Sequence, residues 1–314
     1  MPATGVHIDR ADDLGPEFDT RADLCRITVL TEPDIRFLTH VNMRRRSLSI
    51  DRAESDETGR TSHLRIVRAV TDEMRALDRS LQHFRTGSLI RMVLQGAGGA
   101  FFANSIFLDE YVMASTTAGG DVDPSSPARV SHVDKAVSKL VDRIRELVGQ
   151  PSLNPGGWFE IPPESEHADE VPAEAVHEEA LHPDGGTALP SFRNAVARGS
   201  LQYAALFRGT DQLLEVDTFE SNTVKQFLTR IPPQIRREFY REFGRLAERN
   251  VAELARVSAA ATGAPLLRAV FDVEQGAIFY YRVGDDRHLI GMTLDQSAVA
   301  AADHHAAALA VDCR

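Results

Sequence analysis

The chain contains no run of about 18 uncharged apolar residues, so no hydrophobic segment is long enough to cross a bilayer as a helix. Its opening residues lack the basic and apolar stretches of a secretory leader, and only two cysteines, Cys25 and Cys313, are present. Two thiols near opposite ends make neither a disulfide framework nor a CxxC metal spacing. The expected compartment is a reducing cytoplasm. An excess of positive charge is also missing. The net charge is −11, but residues 151–190 hold nine acids and no Lys or Arg, leaving −2 for everything else. Without a broad basic field, neither nucleic acid nor a membrane is expected as partner. The eleven histidines lack metal-site spacing. His304 and His305 are helix neighbours pointing about 100° apart, and His167, His177 and His182 lie in the acidic stretch without a frame. No metal and no cofactor is expected.

What is present is strong helical periodicity. Val67, Val70, Met74, Leu77, Leu81 and Phe84 recur at spacings of three and four, which marks an amphipathic helix from about Ser62 to Gly87. Val133, Val137, Leu140, Ile144 and Leu147 mark another, with Ser131 as its cap. The longest begins at Pro232-Pro233 and carries Ile235, Phe239, Phe243, Leu246, Val251, Leu254 and Val257. Shorter helices are expected at 101–115, 191–207 and 221–230, with a final alanine-rich one ending near Ala310.

Strands are read at Arg26–Thr31, which is β-branched, and at Leu89–Leu94. Three more, Leu266–Val273, Ala277–Val283 and His288–Leu294, follow one another across short turns as an antiparallel meander. The fold expected is therefore α+β and helix-rich, with a C-terminal three-stranded meander flanked by helices. No internal repeat is visible. Four parts follow: a disordered tail at 1–24, an N-terminal α/β region at 25–150, a Pro/Gly-rich acidic linker at 151–190, and a C-terminal α+β module at 191–314.

Two stretches suggest chemistry or partners. LIRMVL runs into Gln95-Gly96-Ala97-Gly98-Gly99, and a strand, a glycine turn and a helix in that order can aim backbone N–H groups at an anion. LIRMVLQGAGGAFFA resembles the crotonase (enoyl-CoA hydratase) turn, with Gly96 and Gly98 on the family's glycines and Phe101 on its aromatic residue. That resemblance implies an oxyanion site for a CoA thioester lined by Gly96, Gly98, Gly99 and Ala103. The chain departs from the pattern at Asn104-Ser105-Ile106. The family's second donor segment and its acidic residues are not found, and residues 118–121 are too far along to replace its glycine and aspartate.

The order helix, meander, helix from about Ala252 onward is similar to the later half of roadblock/LC7 and other profilin-like domains. That similarity implies a module that binds partners through its sheet and helices rather than a catalyst. Phe279, Tyr280 and Tyr281 are the aromatic candidates for such a surface. Arg44-Arg45-Arg46-Ser47 reads as an exposed helix end, a phosphate contact or a modifiable serine. The row Arg237, Arg241, Arg245 and Arg249 reads as a solvated face. Asp109-Glu110, Asp285-Asp286 and Ser200 carry no diagnostic spacing, and GxSxG is absent. The expected function is a non-catalytic regulatory or scaffolding protein that binds a protein partner, or itself as a homodimer, through its C-terminal module. The alternatives are a crotonase-like enzyme and a small-ligand sensor.

Overall fold

A computed structural model describes residues 5–52, 55–116, 126–158, 172–228 and 231–314. Residues 118–121, Phe159 and His167 lie outside them. The chain divides into two compact units: unit 1 holds residues 1–77, 90–155 and 253–266, and unit 2 holds residues 78–89, 156–252 and 267–314.

Unit 1 is built from β1 (Val6–Arg10), α1 (Asp19–Thr31), β2 (Ile35–Asn42), β3 (Arg45–Arg52), α2 (Glu57–Leu81), β4 (Leu89–Gly96), β5 (Gly99–Phe107), β6 (Glu110–Thr116) and α3 (Pro127–Leu147). Its strands lie in the order β1-β3-β2-β6-β5-β4 and pair antiparallel. α2 lies on the face carrying Met113, against which Thr71 packs, and its buried stripe includes Val67, Val70, Met74 and Leu77. α1 and α3 cover the other face, where Val133, Val137, Leu140 and Ile144 are buried.

Unit 2 contains β7 (His177–Ala180), α4 (Pro183–Gly186), α5 (Leu189–Ala197), β8 (Tyr203–Arg208), β9 (Asp211–Asp217), most of α6 (Pro233–Thr262), β10 (Leu266–Val273), β11 (Gly276–Arg282), β12 (Arg287–Thr293) and α7 (Val299–Asp312). The order of its strands is β10-β11-β12-β8-β9-β7, again antiparallel. An edge strand, a helix, a hairpin, a long helix, a meander and a closing helix therefore occur in the same succession in both units.

The correspondence reaches single residues. From Glu57 to Thr116 the chain matches itself 177 residues later without a gap, so that Arg60, Leu77, Arg91, Gly99, Phe102 and Thr116 recur as Arg237, Leu254, Arg268, Gly276, Phe279 and Thr293. The first hairpins match at a spacing of 166, and both break register at the same place, between His40 and Val41 and between Leu206 and Phe207. A shared bulge at equivalent positions is a conformational feature of a strand pair and not of composition. The repeat escapes sequence inspection because identity is sparse.

These observations correct the expected fold. The described residues contain twelve strands, six in each unit, rather than a helix-rich chain with one C-terminal meander. Residues 101–115, read as a helix, are β5 and β6. Phe101, Phe102, Ala103, Met113 and Ala114 are buried on both faces of the sheet, so the alternation that betrays a strand is missing. Arg26–Thr31, read as a strand, is the second half of α1: Cys25 and Val29, four apart, face inward, and tertiary packing overrides the β-branched propensity. The first 24 residues contribute β1, paired to β3, instead of a loose tail alone. β7 within the acidic stretch is likewise an edge strand. α3 begins at Pro127, ahead of the expected Ser131 cap. The helix read at 191–207 stops at Ala197 and gives way to β8, and 221–230 holds only a 3-10 segment at Asn222–Phe227.

Candidate functional site

Each unit buries an aspartate near the outer edge of its sheet and neutralises it in the same way. In unit 1, Arg60 of α2 donates Nε to Asp51 Oδ2 at 2.8 Å, and His7, opposite Asp51 on β1, lies 3.1 Å away through Nδ1. In unit 2, Arg237 of α6 donates Nε and Nη2 to Asp217 at 2.5 and 2.9 Å, and His177 stands opposite Asp217 on β7. Burial pushes the Asp217 carboxyl up, against the pull of Arg237.

One turn further along α6, Arg241 donates Nε to Glu215 at 2.9 and 3.0 Å and Nη2 to Glu179 at 3.0 Å. Burial acts to raise Glu215, but Arg241 and Gln212 outweigh it and hold the carboxyl below its ordinary value. His177, Glu179 and Glu215 offer ligand atoms within 4.8 Å of one another. The Arg241 guanidinium already bonds both of those carboxylates, so a cation would have to displace a resident positive charge. The arginine row read as solvated is thus split: Arg237 and Arg241 face β9, where partners distant in sequence wait. These charges are matched internally and serve the fold.

A groove of about 420 Å³ faces outward in unit 1, between the β2–β3 hairpin and α2. Val41, Leu64 and Val67 form its apolar floor; Arg44, Arg46 and Arg68 rise around it. Arg44 pairs with Asp72 and Arg46 with Asp9, while Arg68 meets no acid among the described residues. Ser47, the serine after the arginine run, is buried, which removes it as a modification site.

Beside the groove lie the tips of two hairpins, joined by the bond from Met43 N–H to Asp109 O at 2.8 Å. Met43 is 74% exposed, Phe107 55% and Leu108 80%. Met43 and Arg44 have φ of 46° and 66°, and Asp109 has 61°, a region that favours glycine, asparagine or aspartate. Unit 2 has Gly209, Gly284 and Asp285 where unit 1 has Met43, Phe107 and Leu108. The fold therefore does not require apolar residues at these tips.

At the equivalent place in unit 2 an aromatic ring occupies the floor. Val41 corresponds to Phe207 and Val67 to Gly244, and the Phe207 ring lies so close to Gly244 that a Cβ there would come within 2.2 Å of Cζ. The ring stacks on His288 at 5.2 Å and is fully buried.

The residues singled out from sequence sit elsewhere. Gly96, Gly98 and Gly99 form the β4–β5 hairpin turn, followed by a strand rather than a helix. Gly98 donates its N–H to Thr262 O at 2.8 Å, and a Cβ on Gly96 would lie 2.4 Å from the same oxygen. The glycines admit the end of α6. Ala103 is buried in the middle of β5, paired on both sides. Phe279, Tyr280 and Tyr281 are buried as well, and Tyr281 donates its hydroxyl to Asp303 at 2.5 Å. Of the polar candidates, Asp109 is held by Arg75 at 2.7 Å, and Ser200 bonds His305 Nδ1 at 2.5 Å in a half-buried pair. The sequence matches no protein-family model and no curated protein.

Sequence reasoning noticed Arg44 to Arg46 but missed Met43, Phe107, Leu108 and Arg68. A signal was available: an apolar pair, Phe107-Leu108, immediately before Asp109-Glu110 at what proves to be a turn.

Proposed function

We propose that this chain is a non-catalytic regulatory or scaffolding protein that docks a protein partner on the hairpin tips and groove of unit 1. The observation that carries this reading is the contrast between repeats. At three equivalent turn positions one unit has Gly209, Gly284 and Asp285, and the other exposes Met43, Phe107 and Leu108. Apolar side chains kept in water, one of them, Met43, on a left-handed backbone that disfavours it, are the mark of a surface that is covered part of the time. The arginines and aspartates around them supply the polar rim of an interface.

The succession of elements supports a binding module over a catalyst. The order of elements from α6 to α7, which is similar to the later half of roadblock/LC7 domains, also runs from α2 to α3, an analogy of fold that bears on function only indirectly. The C-terminal aromatics expected to make the surface are buried, so unit 1 takes that role in this reading.

The test is a photo-crosslinking amino acid at position 108, with position 285 as the equivalent control, in the cells that make the protein. A protein adduct, or a crosslinked second copy, at 108 and not at 285 is expected. The same pattern at both positions would remove the contrast on which the reading stands.

A further inference from the structure

The partner segment that enters the groove can be described chemically, on the reading that unit 1 docks a protein. We infer that the groove takes an acidic peptide segment with a branched aliphatic or aromatic anchor: the anchor on Val41, Leu64 and Val67, the carboxylates on Arg44, Arg46 and Arg68.

Charge and shape both point there. A volume of about 420 Å³ lies within the range of pockets that bury one or two large side chains. Its floor is apolar and its walls carry three guanidinium groups against the single carboxylate of Asp72, and each guanidinium is able to receive a carboxylate through two parallel N–H bonds. Arg68 has no acidic partner among the described residues. Arg44 and Arg46 each hold one carboxylate, from Asp72 and Asp9, and both of those acids are partly or fully exposed. Exposed pairs of this kind contribute little, so a ligand carboxylate can replace them at small cost.

The repeat supplies the internal comparison. Unit 2 keeps Arg245 where unit 1 has Arg68, but it has Thr210 and Gln212 in place of Arg44 and Arg46, and Phe207 closes the floor over Gly244. Unit 2 also has Arg241 and Arg249 where unit 1 has Leu64 and Asp72, so the two places carry similar net charge; unit 1 differs in its open floor and in having arginines on the hairpin side of the groove. Its edge also continues into the exposed Met43, which lengthens the apolar track beyond the groove.

The experiment is selection of random short peptides displayed on phage against the full-length protein, with affinity of the enriched sequences measured by fluorescence anisotropy. Enriched peptides are expected to place Asp or Glu beside Leu, Ile, Val or Phe. Arg68→Glu is expected to weaken them about tenfold or more, and Arg245→Glu, the same change at the equivalent position, to leave them unaffected. Val41→Phe with Val67→Gly rebuilds the closed floor of unit 2 and is expected to abolish binding. Should that pair disturb folding, Arg68→Glu still decides, because its side chain is exposed and meets no acid among the described residues. A selection that enriches nothing, or peptides without acids, or binding that Arg68→Glu leaves unchanged, overturns the inference. Sedimentation with phosphatidylserine vesicles, lost in Arg68→Glu and accompanied by no peptide enrichment, would overturn it in favour of a lipid surface. A crosslink at position 108 alongside a failed selection separates this inference from the docking reading beneath it.

Discussion

Phe207 rests on the bare backbone of Gly244, where a Cβ would approach its ring to 2.2 Å. Glycine inside a helix ordinarily costs about 1 kcal/mol relative to alanine, so its presence in the middle of α6 reflects the ring it admits. Gly244→Ala is expected to destabilise the protein by about 1–3 kcal/mol. In a Phe207→Val background the same substitution is expected to change sign and stabilise by up to about 1 kcal/mol. Urea unfolding of the four proteins in this cycle measures the coupling, and additive effects would show that ring and helix are independent.

Asp217 is fully buried and, among the described residues, is paired with the guanidinium of Arg237. Removing one partner of a buried ion pair strands the other charge, at about 3–5 kcal/mol. Arg237→Ala is expected to fall in that range. Arg60→Ala, the equivalent change in unit 1, is expected to cost less, because Arg60 is about a third exposed and His7 remains beside Asp51. Equal losses in thermal or urea melts would contradict the difference in burial between the two sites.

His63 stacks on Phe37 at 4.8 Å, bonds Thr39 Oγ1 through Nε2 at 3.1 Å, and is pulled down to about 3 by burial. Its folded form refuses a proton that the unfolded chain accepts below its ordinary value of 6.5. Stability is therefore complete above pH 6.5 and declines as pH falls toward 3, by up to about 1.4 kcal/mol per pH unit. Between pH 7 and pH 5 the contribution of this residue amounts to about 2 kcal/mol. Unit 2 has Tyr240 at the equivalent position, and His63→Phe is expected to flatten that part of the profile. A variant with the wild-type slope over this window would show that His63 titrates normally.

Met43 and Leu108 are expected to trade stability against binding. Met43→Gly places the unit 2 residue on a backbone with φ of 46° and is expected to leave stability unchanged or raise it by up to about 1 kcal/mol. Together with Leu108→Asp, it is expected to remove partner capture while the melting temperature holds. Loss of both stability and capture would make these side chains part of the fold.

Amphipathic elements were largely legible in the sequence. The stripe Val67, Val70, Met74, Leu77 of α2 repeats at the period of a helix because one face is in the core, and the meander from Leu266 to Thr293 was legible from its short β-branched and aromatic runs cut by Gly and Asp turns, although its strands are buried on both faces. Elements without such turn punctuation or a clear stripe were not legible. Phe101-Phe102-Ala103 offers no alternation, and Cys25 with Val29 is too sparse a stripe to outweigh a β-branched run. The candidate site was legible only as an arginine cluster. Arg68 lies on the same helix face as a floor residue, Leu64, but nothing local ties either to Val41.

The sequence by itself determined where the long helices and the C-terminal hairpins run and how little net charge lies outside the acidic stretch, since these follow from periodicity and composition. Only the tertiary structure decided that the chain is a repeat. Register, not identity, aligns Val41 with Phe207 and Asp51 with Asp217, and strand pairing is a property of residues brought together across the fold. The groove exists for the same reason: its volume is what remains when a valine stands where the other unit has a phenylalanine, and a missing side chain is felt only by the neighbours packed around it.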